Sequence, residues 1–135
     1  MRLAMTTDQT LRPHERIKDP VDFRRAFDRK RSVADGVLIV YGAENGLDHA
    51  RLGLSVSRRR VRLASDRNRI KRLVREAFRL SKADLPPGVD LVVLPRNPKM
   101  TFDQVRASLP ALARDAARRL RKSRPDSKPA NPVSS

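Results

Sequence analysis

The sequence predicts an α+β fold, a two-layer sandwich of helices packed on a sheet, and three observations support this prediction. The chain has 135 residues, which is the length of one domain and too short for two of typical size. Segments with helical periodicity and segments rich in β-branched residues follow in the order helix, strand, strand, helix, strand, helix. The sequence contains no internal repeat, and it contains no apolar run of about 18 residues, which a membrane span would require.

The first predicted helix covers residues 20 to 29. Asp19 can accept a hydrogen bond from a free amide at the helix start, and Pro20 suits the first helical position, where no amide is needed. Phe23, Ala26 and Phe27 then recur at helical spacing. This short helix is therefore predicted to bury one face.

Two strands are predicted next, from the segments GVLIVYGA (36 to 43) and ARLGLSVS (50 to 57). The turn signal Asn45-Gly46 lies between them, so the two strands are expected to pair as an antiparallel hairpin. In the second strand leucine and valine alternate with the small residues Gly53, Ser55 and Ser57. The face lined with these small groups permits close approach by another backbone, of protein or of nucleic acid.

The segment SDRNRIKRLVREAFRL, which begins at residue 65, predicts a helix with two contrasting faces. At about 100° per residue, its apolar side chains form one arc and its outward face is almost purely cationic. Lys71, Arg75 and Arg79 are like-charged neighbours four residues apart, which costs about 0.2–0.5 kcal/mol for each pair. Only Arg72 and Glu76 have opposite charges at that spacing. Folding alone would not select this pattern, whereas a polyanionic partner would offset the repulsion.

The remaining elements are a strand and a helix. Pro-Pro-Gly at 86 to 88 breaks the chain, and VDLVVLP (89 to 95) is predicted to be a buried strand. Thr101 and Gln104 form a capping box that opens the last helix. Its inward face is predicted to hold Val105, Leu109, Leu112, Ala113, Ala116 and Leu120. Pro110 inside this helix is expected to kink or split it, because proline lacks an amide and clashes with the preceding turn.

Charge and composition favour a binding surface for a polyanion. The net charge is +16, and residues 58 to 79 hold ten basic and two acidic residues, so half of the charge lies there. The chain has no cysteine, and its two histidines, His14 and His49, are isolated in the sequence and interpreted as surface residues rather than metal ligands. Asp22 and Asp66 are interpreted as charges that stabilise helix N-termini.

Both ends of the chain are predicted to be disordered. Residues 1 to 14 form a basic arm and residues 121 to 135 a tail rich in Pro, Ser and Lys, so the domain is expected to cover residues 15 to 120. The start of the chain lacks the apolar stretch of a secretory signal. A soluble, cytoplasmic protein that does not bind membranes is therefore expected.

The combined pattern resembles the bacterial ribonuclease P protein subunit over residues 14 to 120. The most specific part is Arg67-Asn68-Arg69 followed by IKRLVREAFR, which is similar to that family's RNR motif at the start of its second main helix. The segments DFRRAF, RLGLSVS and PPGVDLVVLPR also follow in the family's order. The chain departs from the family in the loop from Arg59 to Asp66, which is one residue longer and lacks a glycine. The arginines there preserve charge but not backbone freedom.

The resemblance implies three helices, a four-stranded mixed sheet and a left-handed βαβ crossover, which is an exception to a strongly right-handed rule. It also implies an accessory subunit that binds a large catalytic RNA and the 5′ leader of precursor tRNA. The RNA would remove the leader by metal-assisted hydrolysis. The protein would then carry no catalytic residue, bound metal or cofactor, magnesium would serve the RNA, and the protein would be monomeric on each RNA.

The resemblance assigns two sets of RNA-binding residues. The catalytic RNA would contact Arg67, Asn68, Arg69, Lys71, Arg72, Arg75 and Arg79. The leader would enter a cleft between the first helix and the sheet and contact Phe23, Phe27, Tyr41, Ser55, Ser57, Arg58 and Arg59. If Tyr41 lines this cleft, Val37 and Ile39, which have the same strand parity, must lie under the first helix.

Several alternatives remain at this stage. Phe23 and Phe27 could be only the core face of their helix, and Arg58 and Arg59 could be a solvated loop end. Phe78 and Phe102 are interpreted as core residues. For the whole protein, the competing functions are a ribosomal or ribosome-assembly RNA-binding protein and a protein-only nuclease. The last requires clustered carboxylates or histidines, which no segment provides.

Overall fold

The computed structural model describes residues 12–30 and 32–122. The three helices in this part of the chain are α1 (Pro20–Arg29), α2 (Ala64–Leu80) and α3 (Phe102–Lys122). The strands are β1 (Ser32–Ala34), β2 (Leu38–Glu44), β3 (Arg51–Leu54) and β4 (Val89–Pro95), and they form one mixed sheet. Two 3₁₀ turns, Pro13–Glu15 and Lys82–Asp84, complete the described elements. The predicted α+β class is confirmed.

The strand order in the sheet is β1-β2-β4-β3. β2 is antiparallel to β1 and to β4, whereas β3 is parallel to β4, so β3, α2 and β4 form a βαβ unit. The predicted hairpin is therefore wrong, because β4 lies between its two strands. Residues 89–93 are all buried, and a mainly apolar strand that is buried on both faces is most stable at the centre of a sheet. Asn45-Gly46 does form a turn, with Gly46 at φ 71°.

The two faces of the sheet are covered unequally. α2 and α3 cover one face, where the main core includes Leu38 and Phe78, which are at most 1% exposed. α1 crosses only part of the other face, where Ala26 and Val92 belong to a smaller apolar cluster. Tyr41 and Leu94, on the same face, are only partly buried.

Local sequence signals account for α1 and its ends. The Asp19 Oδ1 atom accepts a hydrogen bond from the Val21 amide at 2.9 Å, and the helix has the predicted bounds. It ends at Lys30, which has a left-handed φ of 56°, a conformation that glycine adopts at much lower cost.

α3 is one continuous helix, and it packs against α2. The capping box is confirmed, since the Thr101 amide donates to Gln104 Oε1 at 2.9 Å and the Gln104 amide donates to Thr101 Oγ1 at 3.3 Å. Of the kink or split expected at Pro110, the split does not occur. The buried residues on both sides of it, Leu109 and Leu112, pack into the main core and offset a cost of about 3 kcal/mol. All six residues predicted to face inward are buried, as is Phe78, whereas Phe102 is partly buried against the core.

Residues 12–17 run along the outer edge of β3. The Ile17 amide donates to the Leu52 carbonyl at 2.8 Å, and Lys82 Nζ lies 2.8 Å from Glu15 Oε1. This segment covers a strand edge that would otherwise expose unpaired backbone groups. Residues 13–15, most of which the sequence assigned to a disordered arm, thus form a turn, and residues 121 and 122 end α3. Residues 1–11 and 123–135 of the predicted tails lie outside the described residues.

Candidate nucleic-acid interface

The outward face of α2 forms a cationic surface. Asn68, Lys71, Arg72, Arg75, Glu76 and Arg79 line a shallow depression together with Arg16, which approaches from the segment along β3. Asn68, Arg72 and Arg75 are exposed, and Lys71 and Arg79 are partly buried. Within the described residues, no acidic side chain lies within ion-pair distance of Lys71, Arg72 or Arg75. Five of the seven residues predicted to contact the catalytic RNA therefore share this surface, which we call the cationic face.

The one acidic residue of this surface is held by an arginine of the same helix. The expected attraction between Arg72 and Glu76 is replaced by a pair between Glu76 and Arg79, in which Arg79 Nε donates to Glu76 Oε1 at 3.1 Å. This hydrogen bond lowers the pKa of Glu76 and raises the pKa of Arg79. Glu76 therefore leaves the other cations of the face uncompensated.

Arg67 and Arg69 are directed elsewhere. Arg67 Nη1 donates to the carbonyls of Val61 and Arg62 at 3.0 and 2.9 Å. Arg69 Nη1 donates to the Met100 carbonyl at 3.0 Å, and its Nη2 donates to the Pro98 carbonyl at 2.6 Å. Both guanidinium groups of the RNR motif thus bond to loop backbone, and the structure does not place them in the depression on the cationic face.

Three aromatic side chains lie between α1 and the sheet. Phe23, Phe27 and Tyr41 are all half-buried and pack against the smaller apolar cluster. The rings of Phe27 and Tyr41 meet edge to face, with centroids 4.9 Å apart. Both interpretations of Phe23 and Phe27 therefore hold in part, since the rings contribute to a core and also remain accessible. We call the partly exposed surface that these three rings form beside α1 the cleft.

On the small-residue face of β3, the side chain of Phe23 packs against Gly53. A Cβ atom on Gly53 would lie 2.8 Å from Phe23 Cε1 and 2.9 Å from Cζ, so the aromatic ring rests directly on the glycine. At Gly53 the close approach is therefore made by a side chain rather than by the expected backbone. Ser55, next on this face, is half-buried, and its amide extends the pairing with β4 through a 3.0 Å bond to the Val93 carbonyl.

The neighbours of Tyr41 differ from the expectation. Ile39 lies on the same side of β2 and is half-buried, but Val37 precedes the strand and packs against the main core on the opposite side of the sheet. Strand parity failed at Val37 because β2 begins only at Leu38. The first helix therefore does not need to cover Val37 for Tyr41 to line the cleft.

A buried ionic network, which sequence reasoning missed, fixes α1 on the sheet. Asp90 is fully buried and accepts hydrogen bonds from Arg51 Nε and Nη2, both at 2.7 Å, and from Arg25 Nη2 at 3.0 Å. Asn45 Nδ2 donates to the same carboxylate at 2.9 Å. The bonds to Asp90 raise the pKa of Arg51. The only sequence signal was a single carboxylate within the apolar segment VDLVVLP.

Asp22 joins the same network from α1. Its carboxylate lies 3.3 Å from Arg25 and 3.4 Å from Arg51. The interpretation of Asp22 as a charge in the first turn of a helix holds for its position. The structure adds a second role, because the contact of Asp22 with Arg51 also links α1 to β3.

Ser57, Arg58 and Arg59 are exposed within the loop that follows β3. Ser57 Oγ accepts a hydrogen bond from the Arg60 amide at 3.1 Å and closes a turn. Among the described non-glycine residues, only Lys30 has a positive φ, so the loop from Arg59 to Asp66 reaches α2 without a left-handed residue. The missing glycine of the family pattern is therefore not needed for this conformation.

The two histidines contact each other, which the sequence did not predict. Their ring centroids are 5.0 Å apart, and His49 Nε2 lies 3.1 Å from the His14 carbonyl oxygen. Asp48, 2.8 Å from His49 Nδ1, raises the pKa of His49 through this hydrogen bond. The residues that the structure describes contain no group of three or more potential metal-ligating side chains. They also contain no helix that is long and apolar enough to span a bilayer.

Comparison with known proteins gives consistent matches. A family model described as Ribonuclease P matches residues 11–117. The ribonuclease P protein component of Methylococcus capsulatus is 49% identical over 83 residues, which cover 62% of this chain and 64% of that protein. The protein of the same name from Marinobacter nauticus is 42% identical over 120 residues, which cover 87% of this chain and 89% of the relative.

Solved structures give the same result. The ribonuclease P protein of Staphylococcus aureus superposes with a TM-score of 0.65 at 37% identity, and the match covers 76% of this chain and 94% of that one. The ribonuclease P protein of Thermotoga maritima superposes with a TM-score of 0.67 at 36% identity, covering 75% and 96%. The observed helices and mixed sheet are thus those of bacterial ribonuclease P proteins.

Proposed function

Because this chain belongs to the ribonuclease P protein family, we propose that it binds the catalytic RNA of ribonuclease P and the 5′ leader of precursor tRNA, and so assists removal of the leader. Family membership implies a subunit of a tRNA-processing nuclease and a partnership with ribonuclease P RNA. The finer assignments, of each RNA to its own surface, belong to the proposal. So do the cytoplasmic location and a monomeric protein on each RNA.

The observation that carries the proposal is the uncompensated charge of the cationic face. Lys71, Arg72 and Arg75 have no acidic partner among the described residues, and Arg16 adds a further cation from a separate segment. A folded RNA would neutralise these groups, and each phosphate contact would release counterions. Asn68, exposed at the same depression, can donate through its amide to a phosphate or a 2′-hydroxyl. We therefore assign the catalytic RNA to this face.

The cleft supports the assignment of the leader. Half-buried aromatic rings can stack on bases for about 1–3 kcal/mol each with little sequence preference, which suits an enzyme that meets many leaders. Phe23, Phe27 and Tyr41 lie on the face of the sheet opposite α2, so the two RNA segments would bind different sides of the protein. Ser57, Arg58 and Arg59 are exposed in the loop after β3 and would meet the phosphates of the leader.

We assign the chemistry to the RNA and its magnesium ions. Three acidic side chains near the two surfaces already have structural partners: Asp90 and Asp22 hold Arg51, and Glu76 holds Arg79. The oxygen atoms of these carboxylates are engaged by guanidinium groups, which leaves them poorly placed to take a proton from water or from an RNA hydroxyl. The protein is thus proposed to position RNA rather than to transfer protons.

The proposal is tested with precursor tRNA incubated with the protein alone, with the cognate catalytic RNA alone at low magnesium, and with both. We expect cleavage at the mature 5′ end to be slow with RNA alone, faster with both components, and absent with the protein alone. Cleavage by the protein alone would contradict the proposal and favour a protein nuclease. Failure of the protein to improve cleavage would favour a different RNA-binding role, such as ribosome assembly.

A further inference from the structure

Two basic loops begin at the same end of the sheet, at the carboxyl ends of two neighbouring strands. β3 and β4 are parallel neighbours, so the loop after β3 (residues 55–63) and the loop after β4 (residues 96–101) both start at their carboxyl ends. Four exposed arginines lie on the first loop and two exposed cations on the second: Arg58, Arg59, Arg60, Arg62, Arg96 and Lys99. The N-terminus of α2, with Arg67 and Arg69, lies beside both loops.

Each loop is anchored by one buried apolar residue whose carbonyl is bonded to an arginine of α2. Val61 is 2% exposed, and its carbonyl accepts from Arg67 at 3.0 Å. Met100 is fully buried, and its carbonyl accepts from Arg69 at 3.0 Å. Each guanidinium makes a second bond to the same loop, Arg67 to the Arg62 carbonyl and Arg69 to the Pro98 carbonyl two residues before Met100. A planar guanidinium is suited to holding two acceptors at once, which a lysine ammonium does less well.

We propose that Arg67 and Arg69 are positioning residues that brace the two basic loops, so that phosphate is contacted by these loops and by the cationic face rather than by these two side chains. The proposal rests on the proposed function for its RNA readout, but its structural part concerns the free protein. It assigns the two arginines of the RNR motif a role different from that of Asn68, which lies between them and faces outward.

The test compares Arg69→Met and Arg69→Lys, with Arg72→Met and Arg72→Lys as matched controls on the same helix. The Arg72 side chain is exposed and has no hydrogen bond to a carbonyl of the described residues. In the free protein we measure Tm and the hydrogen exchange of the Lys99 and Met100 amides, which donate to the side chain and the carbonyl of Asn97. With the catalytic RNA we measure Kd across a series of salt concentrations.

If Arg69 is a brace, lysine cannot replace it. Both Arg69 variants should lower Tm by about 4–8 °C and speed hydrogen exchange at Lys99 and Met100. The lysine variant should weaken RNA binding as much as the methionine variant does. Arg72→Met should instead keep the native Tm and lower the salt slope of binding by about 0.7–0.9, and Arg72→Lys should restore it.

Two results would overturn the proposal. The first is a native Tm and native exchange in both Arg69 variants. The second is recovery of RNA affinity and salt slope in Arg69→Lys, which would identify Arg69 as a phosphate contact. If the unmodified protein fails to bind the catalytic RNA at all, the proposed function fails, while the comparison in the free protein still decides whether Arg69 braces its loop.

Discussion

Replacing Gly53 with alanine tests how the wall of the cleft is built. The added Cβ would lie 2.8 and 2.9 Å from two atoms of the Phe23 ring and 3.1 Å from Ile17 Cδ1, all shorter than an ordinary carbon contact. Gly53 does not have a positive φ, so its backbone conformation accepts alanine. Any loss of stability would therefore arise from the contact with Phe23 and Ile17, not from the backbone.

The expected cost follows from two opposing contributions. Overpacking by one methyl group costs about 1–3 kcal/mol, and replacing glycine by alanine in a strand returns about 0.5–1 kcal/mol of backbone entropy. We expect Gly53→Ala to lower the free energy of unfolding by about 0.5–2 kcal/mol. Because the Phe23 ring is half-buried, the clash would also push it outward and weaken binding of precursor tRNA relative to tRNA without a leader.

The assay is urea unfolding of Gly53→Ala, Phe23→Ala and the double variant. In the absence of the ring the methyl group meets less resistance, so the double variant should be no less stable than Phe23→Ala, with a coupling free energy of about 1–3 kcal/mol. Gly36→Ala is the control, since a Cβ there has no atom within 4 Å. An equal penalty for the alanine with and without Phe23, or no penalty at all, would refute the reasoning.

Four further predictions follow from named groups. Arg75→Gln should weaken binding of the catalytic RNA and make this binding less dependent on salt concentration. Tyr41→Ala should weaken only the preference for precursor tRNA over tRNA without a leader. Equal effects of both variants on the Kd for the catalytic RNA, measured across salt concentrations, would contradict two separate surfaces. Sulfate should raise the Tm measured by circular dichroism more than chloride of matched ionic strength does, because sulfate can bind between guanidinium groups of the cationic face. A ligand present at 100 times its Kd stabilises the folded state by about 2.7 kcal/mol. Equal effects of the two anions would indicate screening alone. Lys30→Gly should raise the free energy of unfolding in urea by about 0.5–1 kcal/mol, since φ is 56° there; an unchanged value would show that the turn carries no strain. Asp48 raises the pKa of His49, so the stability that this pair contributes is fully present below the unfolded pKa of about 6.5 and is lost as pH rises through the folded pKa. The Asp48→Asn variant should therefore have a lower Tm than the unmodified protein at about pH 5.5, and the difference should shrink towards about pH 8.5. A difference in Tm that does not change with pH would exclude this linkage.

The elements with strong local signals were predicted from the sequence. Asp19 and Pro20 mark the start of α1, Thr101 and Gln104 mark the start of α3, and both signals act through neighbouring backbone amides. The cationic face was also predictable, since helical periodicity alone separates its charges from the buried arc. The resemblance to a known family supplied the cleft, because the placement of Phe23 beside Tyr41 depends on contacts between distant segments.

What the sequence could not predict depends on long-range pairing. The turn at Asn45-Gly46 favours a hairpin, and nothing local shows that a strand 40 residues further on will separate the two partners. The network around Asp90 was missed for the same reason, since Arg25 and Arg51 reach it from two other elements. Likewise, an arginine that bonds Met100 and one that faces solvent look the same in the sequence, so the different roles of Arg69 and Arg72 required a structure.

The central position of β4 also constrains the order in which this protein can fold during synthesis. β2 and β3 are made first, yet neither has its main partner until residues 89–95 have left the ribosome. Until then both strands have free edges, and the nascent chain already carries the charge of residues 58–79. The sheet is therefore completed late, when β4 pairs with both β2 and β3. Pairing between segments so far apart in the sequence raises the contact order and slows folding relative to a hairpin. A chain that ends before residue 89 would lack the strand that joins its two halves.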